Sequence, residues 1–204
     1  MYLITTPWWL RKLYAAGLVW EMPVKGKELF LTFDDGPHPI ITPFVLKLLH
    51  QYNAKATFFC IGKNVKQYPE IYKQIIDEGH RVGNHTYNHL NGWKNGDAVY
   101  IKNVLLAQAA IDSKLFRPPY GRITRFQAQQ LKPVFDIVMW SVLSGDFDTT
   151  IDGEKCYSNV VKNTKPGSVI VFHDSDKAFA RLEYALPKAL EFFAGKGYEM
   201  KKIY

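Results

Sequence analysis

The sequence predicts an α/β fold in which about seven parallel strands are covered by helices, most economically as a barrel. Two observations support this prediction. Short apolar runs rich in β-branched or aromatic residues alternate along the chain with segments of helical character. Ionisable residues directly follow several of the apolar runs, and in parallel barrels the chemistry lies where the strands end.

Each predicted strand is followed by a predicted helix or ends the chain. Strands are expected at 28–33, 56–61, 80–84, 115–117, 135–141, 168–173 and 197–203. Helices are expected at 42–52, 69–78, 97–112, 124–132, 152–164 and 179–195. Thr42 is the expected cap of the first helix, and Pro69 suits the first turn of the second. Pro187 predicts a break in the last helix, because proline cannot donate the backbone hydrogen bond.

Composition indicates one compact domain. The chain has 204 residues, of which 47% are hydrophobic, and no low-complexity linker or repeat divides it. The net charge of +7 comes from dispersed lysines, and no basic run with interleaved aromatic residues predicts nucleic-acid binding. Cys60 and Cys156 are the two cysteines, which gives no disulfide framework and fits a reducing compartment.

A pair of carboxylates and a pair of histidines form the strongest chemical signal. Asp34 and Asp35 close the apolar run 29–33, and His85 and His89 follow about fifty positions later. Adjacent carboxylates repel unless a cation lies between them or one of them is protonated, and histidines four positions apart can reach one ion. The four residues can therefore supply three ligands to a divalent metal and leave one carboxylate free as a base. Taken alone, each pair is also compatible with an ordinary loop.

Two further segments carry ionisable or rigid residues at predicted strand ends. His173 ends the apolar run Val169–Phe172, and prolines stiffen the segment Arg117–Gly121, which holds an arginine and a free amide at Tyr120. Each has an ordinary explanation, as the polar end of a buried strand or as a rigid turn. Since all these residues share the carboxyl ends of predicted parallel strands, we expect one site there.

These segments resemble the motifs of the polysaccharide deacetylase family, the group that shares the NodB homology domain (carbohydrate esterase family 4). The resemblance spans roughly residues 28–203, and five segments match in the family's order: Thr32–Pro37, His85–His89, Arg117–Gly121, Trp140–Phe147 and Val171–His173. It implies a distorted parallel barrel with a catalytic domain over 28–204. It also implies a hydrolase that removes N-acetyl groups from an acetamido sugar or polysaccharide, such as a chitin oligomer or peptidoglycan.

The resemblance also implies a role for each motif residue. Asp34 would be the general base, and Asp35, His85 and His89 would bind a divalent metal, with zinc the first choice and cobalt or nickel also suited. Arg117 would orient the base, and the Tyr120 amide would bind the oxyanion. His173 would be the general acid, with Asp146 holding its ring. The implied substrate contacts are Pro119, Tyr120, Trp140, Phe147 and Val171.

Four positions depart from the family pattern. Ser141 and Leu143 stand where the family has acidic residues, and the other two departures concern the acyl pocket. Phe147 stands where the family has tryptophan, and Val171 stands where it has leucine. Both line the acyl pocket in the family. The smaller residues could leave room for a propionyl group. Alternatively, neighbouring side chains could refill the pocket, because protein interiors are closely packed.

Other functions explain fewer of these residues. A non-haem iron oxygenase also uses two histidines and one carboxylate, but it leaves the second aspartate and His173 without a role. An O-acetyl esterase or a small-molecule amidohydrolase on the same fold remains open. A catalytically silent carbohydrate-binding module would need no acid and base together.

Residues 1–27 form a predicted extension ahead of the barrel. Trp8, Trp9, Leu10, Leu13 and Tyr14 surround a basic pair, which interrupts the apolar core that a signal peptide requires. The extension could pack on the barrel, or residues 1–20 could rest on a membrane interface as an amphipathic helix. We expect a cytoplasmic protein, whose substrate would then be a precursor, a lipid-linked sugar or a small acetamido sugar. The sequence leaves the oligomeric state open.

Overall fold

The computed structural model describes residues 2–204 and contains one parallel sheet. Its strands are β1 (Glu28–Asp34), β2 (Thr57–Cys60), β3 (Arg81–Asn84), β4 (Leu115–Phe116), β5 (Asp136–Ile137), β6 (Val142–Leu143), β7 (Val169–His173) and β8 (Glu199–Met200). The strand order is β5-β4-β3-β2-β1-β7-β6, and β8 pairs with the start of β1. The sheet curls into a half-barrel, which confirms the predicted fold class.

Helices connect the strands and cover the outside of the sheet. They are α1 (Trp8–Arg11), α2 (Ile41–Gln51), α3 (Gly62–Gln67), α4 (Pro69–Asp77), α5 (Asp97–Gln108), α6 (Arg125–Leu131), α7 (Gly153–Asn163) and α8 (Asp176–Gly195), with a 3₁₀ turn at Pro119–Gly121. None of the helices within 2–204 is long and apolar enough to cross a bilayer.

Alternation along β1 separates core residues from site residues. Phe33 stacks on Phe58 of β2 and Phe172 of β7, with ring centroids 5.0 and 6.0 Å apart. Because successive side chains of a strand point to opposite faces, Thr32 and Asp34 lie on the other face. In register, Asp34 lies beside His173 of β7. The sheet therefore places a carboxylate and an imidazole side by side at the ends of two neighbouring strands, β1 and β7.

Three sequence-based details of the elements are wrong. Helix α8 continues through Pro187, because buried residues on both sides of the proline hold the helix on the sheet. Pro187 cannot donate to the carbonyl of Glu183, but Glu183 is exposed, so water can reach that carbonyl. Thr42 lies inside the first turn of α2, and the His38 Nδ1 caps that helix by accepting from the Ile40 and Ile41 amides.

The third detail is the strand expected at 135–141. Only β5 forms within that range, and β6 begins just after it, because the carbonyls between the two strands bind other partners. The Val138 and Met139 carbonyls accept from the Arg117 side chain, and the Trp140 carbonyl accepts from the Thr6 hydroxyl. The chain between β5 and β6 therefore bridges the two end strands of the sheet.

The N-terminal segment, residues 2–22, lies along the opening between β5 and β6. The Ile4 carbonyl accepts from the Leu143 amide at 2.8 Å, and the Val19 carbonyl accepts from the Met139 amide at 2.7 Å. Trp8 and Trp9 are 69% and 52% exposed. The segment thus has backbone bonds to the sheet, whereas membrane contact through residues 1–20 stays a prediction.

Candidate active site

Asp34 and Arg117 form a buried ion pair at the end of β1. Arg117 Nη1 donates to Asp34 Oδ1 and to the Thr32 hydroxyl, each at 2.7 Å, while Nε and Nη2 donate to backbone carbonyls. Burial lowers the pKa of Arg117, and the Asp34 charge opposes that change. The guanidinium holds Asp34 Oδ1. The other oxygen, Oδ2, faces His85, whose Nε2 lies 4.0 Å away.

Asp35, His85 and His89 bring three potential ligand atoms together. These atoms lie within 4.8 Å of one another, and Nε2 of His85 and of His89 are 3.9 and 3.2 Å from Asp35 Oδ1. His85 Nδ1 is 2.7 Å from the Arg117 carbonyl, which can only accept, so Nδ1 carries the proton and Nε2 presents a lone pair. Burial lowers the pKa of His85 to about 4, which keeps this ring neutral.

The chemistry of this cluster fits a divalent cation. Asp35 Oδ1 is buried without a well-formed hydrogen bond, although an imidazole nitrogen lies close to it. Burial raises the pKa of Asp35, but the neighbouring imidazoles, His89 first, outweigh burial and hold this pKa below its usual range. A buried carboxylate oxygen that faces the lone pair of a neutral imidazole is stabilised by a cation, and one carboxylate with two imidazoles is a common hydrolytic metal site.

Backbone strain is concentrated at the same place. Asp35, Thr86, His89 and Tyr120 have φ between 57° and 85°, a left-handed conformation that residues other than glycine rarely adopt. Among the described residues, Asn53 is the only other non-glycine residue of this kind. Each such residue costs on the order of 1–3 kcal/mol and persists where the surrounding structure enforces it. The loops that carry these four residues therefore keep a strained geometry at some expense in stability.

His173 is held by Asp146 on the other side of Asp34. Asp146 Oδ1 lies 2.7 Å from His173 Nδ1, and Oδ2 accepts from the His173 amide at 2.7 Å. Burial lowers the pKa of His173, but the Asp146 charge and hydrogen bond outweigh it and raise this pKa to about 10. Because a carboxylate can only accept, Nδ1 carries a proton, and Nε2 is the nitrogen available to a substrate.

Asp174 supports the loop that follows Asp35. It accepts from the Gly36 amide at 3.0 Å and from the Thr42 hydroxyl. Burial raises the pKa of Asp174 to about 8. A Cβ at position 36 would lie 2.1 Å from Asp174 Oδ2, so the residue after Asp35 must be glycine. Asp174 was not predicted as a site residue, because nothing in the local sequence indicates that it reaches back to residue 36.

A cleft of about 590 Å³ joins these groups. The predicted site residues that line it are Asp34, Asp35, His85, His89, Tyr120, Trp140, Phe147, Val171 and His173. Arg117 and Asp146 are fully buried behind Asp34 and His173. Pro119 is buried within the Pro119–Gly121 turn and does not line the cleft, unlike the other predicted substrate contacts.

One wall of the cleft comes from residues that sequence reasoning did not assign to the site. They are Tyr2, Leu3, Thr6, Leu10, Tyr14 and Trp20, all from the N-terminal segment. The Tyr14 hydroxyl donates to the Gly121 carbonyl at 3.0 Å, which ties this wall to the tyrosine turn. The aromatic content of the segment was the only signal, and it did not specify what the rings contact.

Comparison with known sequences assigns the chain to a family. Residues 21–133 match the sequence model of polysaccharide deacetylase, and this stretch holds both aspartates, both histidines and Arg117. The chain belongs to the polysaccharide deacetylase family. It is therefore a polysaccharide deacetylase-like hydrolase, of the kind that acts on carbon–nitrogen bonds other than peptide bonds.

Similar proteins extend this family match over most of the chain. A peptidoglycan-N-acetylglucosamine deacetylase of Bacillus cereus is 37% identical over 193 residues, covering 91% of each protein. A chitooligosaccharide deacetylase of Azorhizobium caulinodans is 36% identical over 158 residues, covering 72% of this chain and 73% of that protein. A crystal structure of a peptidoglycan N-acetylglucosamine deacetylase superposes with a TM-score of 0.83 at 33% identity, covering 97% and 95% of the two chains.

Proposed function

We propose that this polysaccharide deacetylase removes N-acetyl groups from acetamido sugar units by metal-dependent hydrolysis. One observation carries the proposal. A carboxylate held by a buried arginine, a set of three metal-ligand atoms and an imidazole held by a buried carboxylate all meet at one cleft. A hydrolase of this type needs a base, an electrophile and an acid in that arrangement.

Asp35, His85 and His89 would hold the metal, with zinc the first choice and cobalt or nickel also suited to these ligands. When bound there, a divalent ion lowers the pKa of a coordinated water to about 7 and polarises an acyl carbonyl. The same residues explain why two aspartates stand side by side. Asp35 faces the imidazoles, whereas Asp34 is fixed by Arg117 and serves a different purpose.

Asp34 would act as the general base and His173 as the general acid. The water oxygen bonds to the acyl carbon while its proton passes to Asp34. The carbon–nitrogen bond then breaks, and the departing amine takes a proton from His173 Nε2, which gives acetate and a free amino sugar. The backbone amide of Tyr120 would help bind the oxyanion, and one such donor is typically worth on the order of 3 kcal/mol.

The names of the relatives support an acetamido sugar as substrate. One acts on peptidoglycan N-acetylglucosamine and another on chitooligosaccharides, so the shared chemistry is an N-acetyl group on a glucosamine unit. We therefore propose N-acetylglucosamine oligomers and peptidoglycan fragments as the substrates to test first. Comparison of kcat/KM for the two would identify the preferred glycan, and activity confined to O-acetylated xylan would contradict N-deacetylation.

The purified protein is expected to hold about one divalent ion per chain. His85→Ala should reduce the occupancy roughly tenfold or more at limiting metal, since even residues that support a ligand change metal affinity by 10–100-fold. Metal analysis after dialysis measures the occupancy. His50→Ala is the matched control, because His50 is exposed on α2. Full occupancy in an Asp35→Ala, His85→Ala double variant would refute the ligand assignment.

Asp146→Asn is expected to lower the pKa of His173 and to move the alkaline limb of the kcat/KM profile to lower pH. In the metal-free protein the same pair affects stability. The folded pKa of about 10 exceeds the ordinary value of 6.5, so the stabilisation is fully present below pH 6.5 and is lost as the pH rises toward 10.

Urea unfolding of the metal-free protein across this pH range measures the stability change. Wild type should lose stability as the pH rises between 6.5 and 10, and Asp146→Asn should lose less. Identical slopes in both proteins, together with identical pH–rate profiles, would show that Asp146 does not control His173.

A further inference from the structure

Three aromatic rings lie in a row from the N-terminal segment to the proposed general acid. The rings of Tyr2 and Phe147 meet edge-on with centroids 4.9 Å apart, and Phe147 meets His173 edge-on at 5.3 Å. Tyr2, Phe147 and His173 all line the cleft. Phe147 is also the position at which the chain departs from the family's tryptophan. Tyr2 therefore packs against the ring that itself contacts His173.

The segment that carries Tyr2 is fixed to the sheet. Two residues after Tyr2, the Ile4 carbonyl accepts from the Leu143 amide at 2.8 Å. Thr5 then forms an antiparallel bridge with Val142, and the Thr6 hydroxyl donates to the Trp140 carbonyl at 2.9 Å. Because Tyr2 lies so close to these bonds along the chain, its ring cannot move far from Phe147.

Gly145 and Asp148 lie beside the Tyr2 hydroxyl. A Cβ at Gly145 would lie 2.9 Å from the Tyr2 hydroxyl oxygen, so the glycine before Asp146 leaves room for this hydroxyl. Burial, followed by the Asp148 carboxylate beside the hydroxyl, raises the pKa of Tyr2 to about 12. The hydroxyl is therefore protonated at neutral pH and points toward Asp148.

We propose that Tyr2 is a specificity-determining residue: it backs Phe147 and thereby limits the size of the acyl group that the cleft accepts. This inference rests on the proposed function and names the part of the chain that sets its acyl selectivity. The presence of phenylalanine at position 147 had two possible consequences, namely room for a propionyl group or a pocket refilled by a neighbouring side chain, and this inference favours the second. The space is refilled by Tyr2, so wild type should prefer acetyl over propionyl substrates, and removal of the ring should relax that preference.

The test compares N-acetyl and N-propionyl glucosamine oligomers as substrates of wild type, Tyr2→Ala and Tyr2→Phe. Tyr2→Ala should raise the propionyl-to-acetyl ratio of kcat/KM by about fourfold, the value of one buried methylene. Tyr2→Phe keeps the ring and should restore the wild-type ratio. Trp8→Ala is the control for the N-terminal segment, since Trp8 is exposed and does not line the cleft. An unchanged ratio in Tyr2→Ala would overturn the proposal.

A binding measurement separates this proposal from the proposed function. Protein-detected NMR titrations of the zinc-loaded chain with acetate and with propionate report acyl-pocket size without turnover. Tyr2→Ala should improve propionate binding relative to acetate by a similar factor, with Tyr2→Phe like wild type. If wild type hydrolyses no acetamido sugar, the proposed function fails and the titration still decides the role of Tyr2. Equal propionate-to-acetate ratios in all three proteins would refute that role.

Discussion

Asp34→Asn is expected to lower kcat on an acetamido sugar by about 10²- to 10⁴-fold while the protein keeps its metal. Asparagine has nearly the same shape as aspartate and can still accept from Arg117, but it cannot take a proton from water at neutral pH. The metal should remain, because the ligand atoms come from Asp35, His85 and His89. Steady-state kinetics and metal analysis on the same preparation measure both quantities.

Asp35→Asn is the matched control, because it changes the neighbouring residue in the same way. This variant should lose metal, and its activity should recover in part when excess metal is added. Asp34→Asn should gain nothing from added metal. Equal metal loss in the two variants would mean that the roles of base and ligand are assigned wrongly.

Arg117→Met is expected to lower the free energy of unfolding by about 3–5 kcal/mol. Arg117 is fully buried, and its removal leaves Asp34 as a buried charge without a partner. It also leaves the Val138 and Met139 carbonyls without their side-chain donors. Turnover should fall as well, because Asp34 would lose the hydrogen bond from Arg117 that orients it.

Urea denaturation measures the stability change, and two control variants define its origin. Arg117→Lys keeps a cation but cannot reach all four partners, so its stability should lie between those of wild type and Arg117→Met. Arg81→Met removes an exposed arginine from β3 and should change stability by less than about 0.5 kcal/mol. A loss of under about 1 kcal/mol in Arg117→Met would show that the buried pair does not hold this part of the sheet together.

Local patterns made the fold class and the central site predictable. Alternation of apolar runs and helical segments is a property of short windows, and the run from Leu29 to Asp35 shows both a strand and its polar end. His85 and His89 are close in sequence, so their approach needs only one loop. The parallel arrangement then brings separate strand ends to one edge of the sheet, which is why Asp34 and His173 could be expected to meet.

Features that depend on distant contacts were not predictable from the sequence. Tyr2 meets Phe147 only because the segment around Thr5 pairs with β6, and no local pattern encodes that bridge. Asp174 reaches the Gly36 amide for a similar reason. Pro187 was misleading, since helix propensity is local, whereas burial of the surrounding face of α8 is tertiary and outweighs it.

The central claim is that metal-loaded protein cleaves an acetyl–nitrogen bond on a glucosamine unit. Mass spectrometry of an N-acetylglucosamine oligomer, combined with acetate and free-amine assays, tests it most directly. Wild type should release one acetate for each new free amine, and Asp34→Asn with its metal bound should release almost none. Absence of new amine with metal-loaded wild type, or acetate released only from O-acetyl esters, would contradict the claim.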